Sequence, residues 1–138
     1  MACSDEGRAA TGVAPERIED TMTKSYADVY SQLEGMMAQL AAEAPGVMEG
    51  FGKLHQASTE DGALDKKTKE LIALAIGITV RCDGCIAYHV HDAVGAGASR
   101  REAIETIGVA VMMGGGPSVV YGCEALQAVD ELLPAEGS

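Results

Sequence analysis

Two apolar runs that meet at a short turn constrain this chain more than any other feature. The first, LDKKTKELIALAIGITVR at residues 64–81, is apolar on almost all sides, as a deeply buried helix requires, and Asp65 is placed to cap its start. Glu70 is the exception near its beginning. The turn-forming residues Arg81-Cys82-Asp83-Gly84 follow, and a second helical run extends from about Asp83 to Gly95, with Gly97 ending it. Two helices joined by so short a connection fold back on each other, so the centre of the molecule is expected to be a helical hairpin.

The same periodicity organises the flanks. From Pro15, which suits a first helical turn, Ile18, Met22, Val29, Leu33, Met36, Met37 and Leu40 recur mostly at steps of three, four or seven. This predicts a long amphipathic helix that ends before Pro45. A shorter helix is expected from about Pro45 to Gln56, with Val47, Phe51 and Leu54 on one side and the TEDG turn closing it. Ser99 and Glu102 fit a capping box for a fifth helix, Arg100 to Met113, with Ile104, Ile107 and Val111 inward. Gly114-Gly115-Gly116-Pro117 stops that helix, and a sixth runs from about Pro117 to Leu133. No alternating strand pattern and no long internal repeat interrupts the series. The expected architecture is all-α, about six helices in a single domain over residues 15–138, preceded by a flexible tail at residues 1–14. With no Trp and only Phe51 as phenylalanine, Ala, Ile, Leu, Val and seven Met must fill the interior, which suits close-packed helices.

Charge narrows the partners. A formal net charge of -11 argues against nucleic acid, whose binding depends on Lys and Arg displacing condensed counterions. The N-terminal MACSDEGRAATG lacks the apolar centre of a signal peptide, and no apolar segment approaches the roughly 20 residues that span a bilayer. A soluble, cytoplasmic protein without membrane association is expected, and its four cysteines are then reduced, metal-bound or catalytic rather than a secreted disulfide framework.

The stretch RCDGCIAYHVHD, residues 81–92, carries the chemistry. Cys82, Cys85 and His89 fall at i, i+3 and i+7, along one stripe of a helix that begins near Cys82. A cysteine at a helix N-terminus feels the positive end of the peptide dipoles, which favours the thiolate. Glu70 precedes Cys82 by twelve residues, about 18 Å along an unbroken helix, but a hairpin near residues 80–83 brings it to the height of His89. A carboxylate there can orient the imidazole, which can in turn accept a thiol proton. From the residues alone three readings stay open: a redox pair, unreactive packing, or a metal clamp using Cys82, Cys85, His89 and either His91 or Glu70. His91 lies about 200° around the helix from His89, which weakens the clamp. His55 and His91 read as structural, Tyr88 as packing, Cys123 as a buried thiol, and Met112-Met113 as part of the core. On its own, Glu70 could also simply pair with Lys66 on a solvated face.

Glu70, eleven residues, Cys82-Asp83-Gly84-Cys85, three residues and His89 together resemble the active-site pattern of alkylhydroperoxidase D-like proteins, in the carboxymuconolactone decarboxylase superfamily. The resemblance spans roughly residues 61–132 and includes AGASRREAIE and VAVMMGGGPS. It implies a helical fold assembled as trimers or hexamers and a thiol-dependent peroxidase that needs no cofactor or metal. Cys85 would be the peroxide-attacking thiolate, Cys82 the resolving thiol, and His89 with Glu70 the proton relay. The implied substrate is a small hydroperoxide and the implied partner an external dithiol reductant. The best-characterised peroxidases of this type carry a histidine just before the second cysteine, where this chain has Gly84. The superfamily name implies a second activity, a lyase acting on a carboxylated lactone. A third reading is a non-enzymatic helical scaffold or metal-binding protein.

Overall fold

Residues 24–134 are described by a computed structural model. They form six α-helices: α1 (Tyr26–Glu43), α2 (Pro45–Thr59), α3 (Lys66–Thr79), α4 (Asp83–Gly95), α5 (Arg100–Gly114) and α6 (Gly116–Leu132). No strand occurs among the described residues. Local chemistry sets the boundaries. Asp65 accepts the Thr68 N–H at 2.8 Å to start α3, and Ser99 and Glu102 complete both halves of the capping box of α5. The first helix corrects the expectation of a start at Pro15. Ser25 is extended and its hydroxyl accepts the Asp28 N–H, so α1 begins at Tyr26. The earlier part of that expected helix and the expected tail at residues 1–14 lie outside the described residues.

The turn between α3 and α4 is a Schellman motif. The Cys82 N–H donates to the Gly77 carbonyl at 3.0 Å and the Arg81 N–H to the Ile78 carbonyl at 3.2 Å. Arg81 holds the left-handed position, φ 61°, that glycine usually fills, and Gly97 holds the matching position after α4. The chain therefore reverses within three residues and α4 packs back along α3. The two helices approach closely at Gly77, where an added Cβ would lie 3.2 Å from the Cβ of Cys85.

Around this hairpin α5 packs on α3, α6 on α3 and α4, and α1 on α4 and α6, while α2 touches α1 and α3. Leu74, Ile78, Ile86, Val90 and Val129 share the core with alanines at 87, 103, 110, 125 and 128. Small side chains at so many contacts let the helix axes come close without large residues to bridge them. Tyr26, fully buried, ties α1 into this core through its polar end. Its hydroxyl donates to Glu124 on α6, and Lys24 bonds both Glu124 at 2.7 Å and Asp83 at 3.0 Å. Burial and the hydrogen bond to Glu124 push the Tyr26 phenol far above its ordinary range, so it remains a donor.

Several apolar residues face outward, against expectation. Met113 is 75% exposed and Met112 nearly as open, so the pair is not core; Ile104 and Cys123 are exposed as well. On α3, expected to be buried all round, Ile72 and Ile76 are open, as is its C-cap Val80. On α2 the side carrying Val47, Phe51 and Leu54 is the outer one, Val47 being 70% exposed. The core of one chain reaches only one face of these helices, and their remaining apolar stripes lie uncovered.

Replacing Tyr26 by Phe leaves the ring in place and removes the hydroxyl from a charged acceptor. Urea unfolding of the variant is expected to show a loss of about 1.5–3 kcal/mol relative to the parent. A loss below about 0.5 kcal/mol would show that the Tyr26–Glu124 tie contributes little.

Candidate active site

The reversal at Arg81 places Glu70, in the second turn of α3, opposite His89 in the middle of α4. Glu70 Oε2 and His89 Nδ1 are 2.8 Å apart. The carboxylate is 0% exposed and pairs with no Lys or Arg among the described residues; Lys66 is on the exposed side. When Nδ1 donates to the carboxylate, Nε2 is left as the basic nitrogen, and ring orientation and tautomer are fixed together.

Cys82 and Cys85 are joined as a disulfide, their Cα atoms 5.2 Å apart. Cys82 is the N-cap of α4, and its sulfur accepts the Cys85 N–H at 3.2 Å. Cys85 sits in the first turn, where peptide N–H groups have no carbonyl partners, and precedes His89 by one helical turn on the same face. Both cysteines are half-buried. Gly84, between them, lies against α1: a Cβ there would meet Leu33 Cδ2 at 3.3 Å. A larger side chain there would require the end of Leu33 to shift.

The structure adds a residue that the sequence reading set aside. His55, on the inward side of α2, lies beside His89 with ring centroids 6.2 Å apart and planes at 26°. The Tyr88 ring stands edge-on to both imidazoles, at 5.6 Å from His55 and 5.5 Å from His89. Tyr88 therefore lines the site. Its burial, with Asp92 and Glu70 nearby, holds the phenol above its ordinary range. His55 Nε2 and Glu70 Oε1 are both buried and have no hydrogen-bond partner among the described residues. His91 lies outside the cluster, bonded to Asp92 at 3.0 Å and stacked on Tyr30 at 4.1 Å.

In the sequence of α2 the apolar stripe dominates and conceals His55. The residues that face the rest of the chain are instead Met48, His55 and Thr59, all half-buried. Their i, i+7, i+11 spacing was the available signal, and it competes poorly with three large apolar residues on another side. The assembled groups amount to a dithiol–disulfide pair at a helix N-terminus, one turn from an imidazole oriented by a buried carboxylate.

The sequence profile of the carboxymuconolactone decarboxylase family matches residues 45–128. An uncharacterized protein of Cupriavidus necator is 32% identical over 111 residues, covering 80% of this chain and 98% of that protein. Uncharacterized protein 4 in the cox locus of Paracoccus denitrificans is 33% identical over 96 residues, 70% of this chain and 86% of its own length. Among solved structures, an apo carboxymuconolactone decarboxylase family protein from Legionella pneumophila matches with a TM-score of 0.75 and 47% identity, over 78% of this chain and 96% of that one. A family member from Thermotoga maritima, for which a part in an antioxidative response has been suggested, matches with a TM-score of 0.67 and 30% identity, over 75% and 88%.

The buried carboxylate separates two substitutions. Glu70→Gln keeps the volume and an acceptor for His89, and its thermal midpoint is expected within a few degrees of the parent. Glu70→Ala leaves both a cavity and an unpaired imidazole, and chemical denaturation should show a loss of about 2–5 kcal/mol. Equal stability of the two variants would contradict the packing described.

Proposed function

The chain belongs to the carboxymuconolactone decarboxylase family, and on that premise we propose that it is an alkylhydroperoxidase D-like, thiol-dependent peroxidase acting on small hydroperoxides. The observation that carries this reading is the Glu70–His89 hydrogen bond, one turn from a cysteine pair close enough to form a disulfide. A lactone lyase needs no dithiol, so the cysteine pair favours the redox reading over that one.

In the reduced protein, Cys85 in the first turn of α4 is the attacking thiolate, stabilised by the N–H groups and dipole of the helix start. Its sulfur attacks one peroxide oxygen as the O–O bond breaks. His89, whose ring Glu70 holds in position, has taken the Cys85 thiol proton on Nε2 and returns it to the departing alkoxide, which leaves as the alcohol. Cys85 is then a sulfenic acid. The Cys82 thiol attacks the sulfenic sulfur, the disulfide forms, and water departs. An external dithiol exchanges with the disulfide, returning two thiols and leaving oxidised itself. A reducing cytoplasm suits a cycle that starts from thiols. No helix among the described residues is long and apolar enough to cross a membrane.

A homo-oligomer, a trimer or hexamer, belongs to the same proposal. The open apolar stripes of α2, α3 and α5 are what a subunit interface would cover.

Coupled turnover of a small organic hydroperoxide with a panel of dithiols tests the chemistry. Cys85→Ser is expected to have no measurable turnover, and Cys82→Ser to accumulate a sulfenic acid that a dimedone probe traps. Glu70→Gln should lower turnover by about 10²–10⁴-fold, the usual contribution of a positioned acid–base group. Parental steady turnover in either cysteine variant would overturn the assigned roles. For the assembly, light scattering that finds a monomer at all concentrations would contradict it.

A further inference from the structure

We infer that His55, Glu70 and His89 form a binding site for a first-row divalent transition-metal ion, with zinc the natural probe. One donor atom from each of the three lies within 4.8 Å of the other two. A tetrahedral ion with bonds of about 2.1 Å needs its donors about 3.4 Å apart, so a pair at the 4.8 Å limit must close by about 1.4 Å. That closure is available. His55 is carried by α2, which contains no fully buried residue.

Two independent features point at an ion. Glu70 is wholly buried, yet its Oε1 has no hydrogen-bond partner among the described residues; His55 Nε2 is buried and equally unpartnered. One oxygen and one nitrogen of this cluster thus each lack a protein donor. The donor set is also the right type. Two imidazoles and a carboxylate carry one negative charge between them, suit zinc and its neighbours in the first row, and suit magnesium or calcium poorly. Three protein ligands also leave a fourth position open, as in metal sites that admit a small ligand. On binding, the ion takes the lone pair of one nitrogen of the neutral His89 ring, whose single hydrogen then sits on the other nitrogen.

This site differs from a cysteine clamp. The sulfurs of Cys82 and Cys85 are bonded to each other, and a disulfide does not ligate zinc as thiolates do. The ion would draw on the same Glu70 and His89 side chains as the proposed proton relay, so binding and relay compete. Binding itself does not depend on the peroxidase reading, and its measurement reads no turnover.

Isothermal titration calorimetry with Zn²⁺ tests the site on chelator-treated protein whose Cys82–Cys85 disulfide is intact, in a Cys3→Ser/Cys123→Ser background free of thiols. The expected result is one equivalent per chain, weakened at least tenfold in His55→Phe and in Glu70→Gln and unchanged in His91→Ala. His55→Phe keeps a ring against Tyr88, and far-ultraviolet circular dichroism checks its fold. A second readout needs no substitution at the site: Co²⁺ added to the same oxidised protein should give the visible bands of a four-coordinate nitrogen and oxygen site. Absence of stoichiometric binding, binding unchanged in His55→Phe, or a six-coordinate cobalt spectrum would each overturn the proposal.

Discussion

One hydrogen bond, between Glu70 and His89, sets the terms for the rest of the structure. A carboxylate with no exposure and a single imidazole partner gives up hydration that the pair does not fully replace, and an apolar residue of similar size would pack there more simply. The fold nonetheless holds it in place. The three-residue reversal at Arg81 makes α3 and α4 antiparallel, Gly77 lets them approach, and the Lys24–Tyr26–Glu124 group fastens α1 and α6 to the first turn of α4 through Asp83. Each feature fixes the height of His89 against Glu70. This is the pattern expected where a site, rather than stability, selects the residues.

The central hairpin was legible from sequence because its signals are local. Asp65, Ser99 with Glu102, and the breakers around residues 81–84 and 114–117 each act within one turn, and the helices begin and end where these residues put them. The Glu70–His89 contact was legible too, since two antiparallel helices with a known turn have only one register. The family resemblance read from Glu70, the cysteine pair and His89 agrees with the matched profile and with the solved relatives. What these residues do catalytically rests on the chemistry proposed above.

What sequence could not settle is which way an apolar stripe faces. Periodicity locates a stripe on a helix but not the surface that covers it. In α2 the stripe of Val47, Phe51 and Leu54 turns outward and His55 turns in; in α5 the Met112-Met113 pair ends at the surface. The same ambiguity hid both the second imidazole of the site and the apolar surface left open by a single chain. In the assembly proposed above, a covered stripe on α2 would also hold His55 more firmly.

The central claim is that the cysteine pair at the head of α4 is a working redox couple served by the Glu70–His89 pair. Its most direct test is to reduce the wild-type chain, add one equivalent of hydroperoxide, quench the free thiols rapidly with an alkylating agent, and map the peptides by mass spectrometry. The account predicts a Cys82–Cys85 disulfide formed in proportion to the peroxide consumed, with Cys123 alkylated. Peroxide consumed while Cys82 and Cys85 both remain alkylated thiols, or no consumption at all, would contradict it.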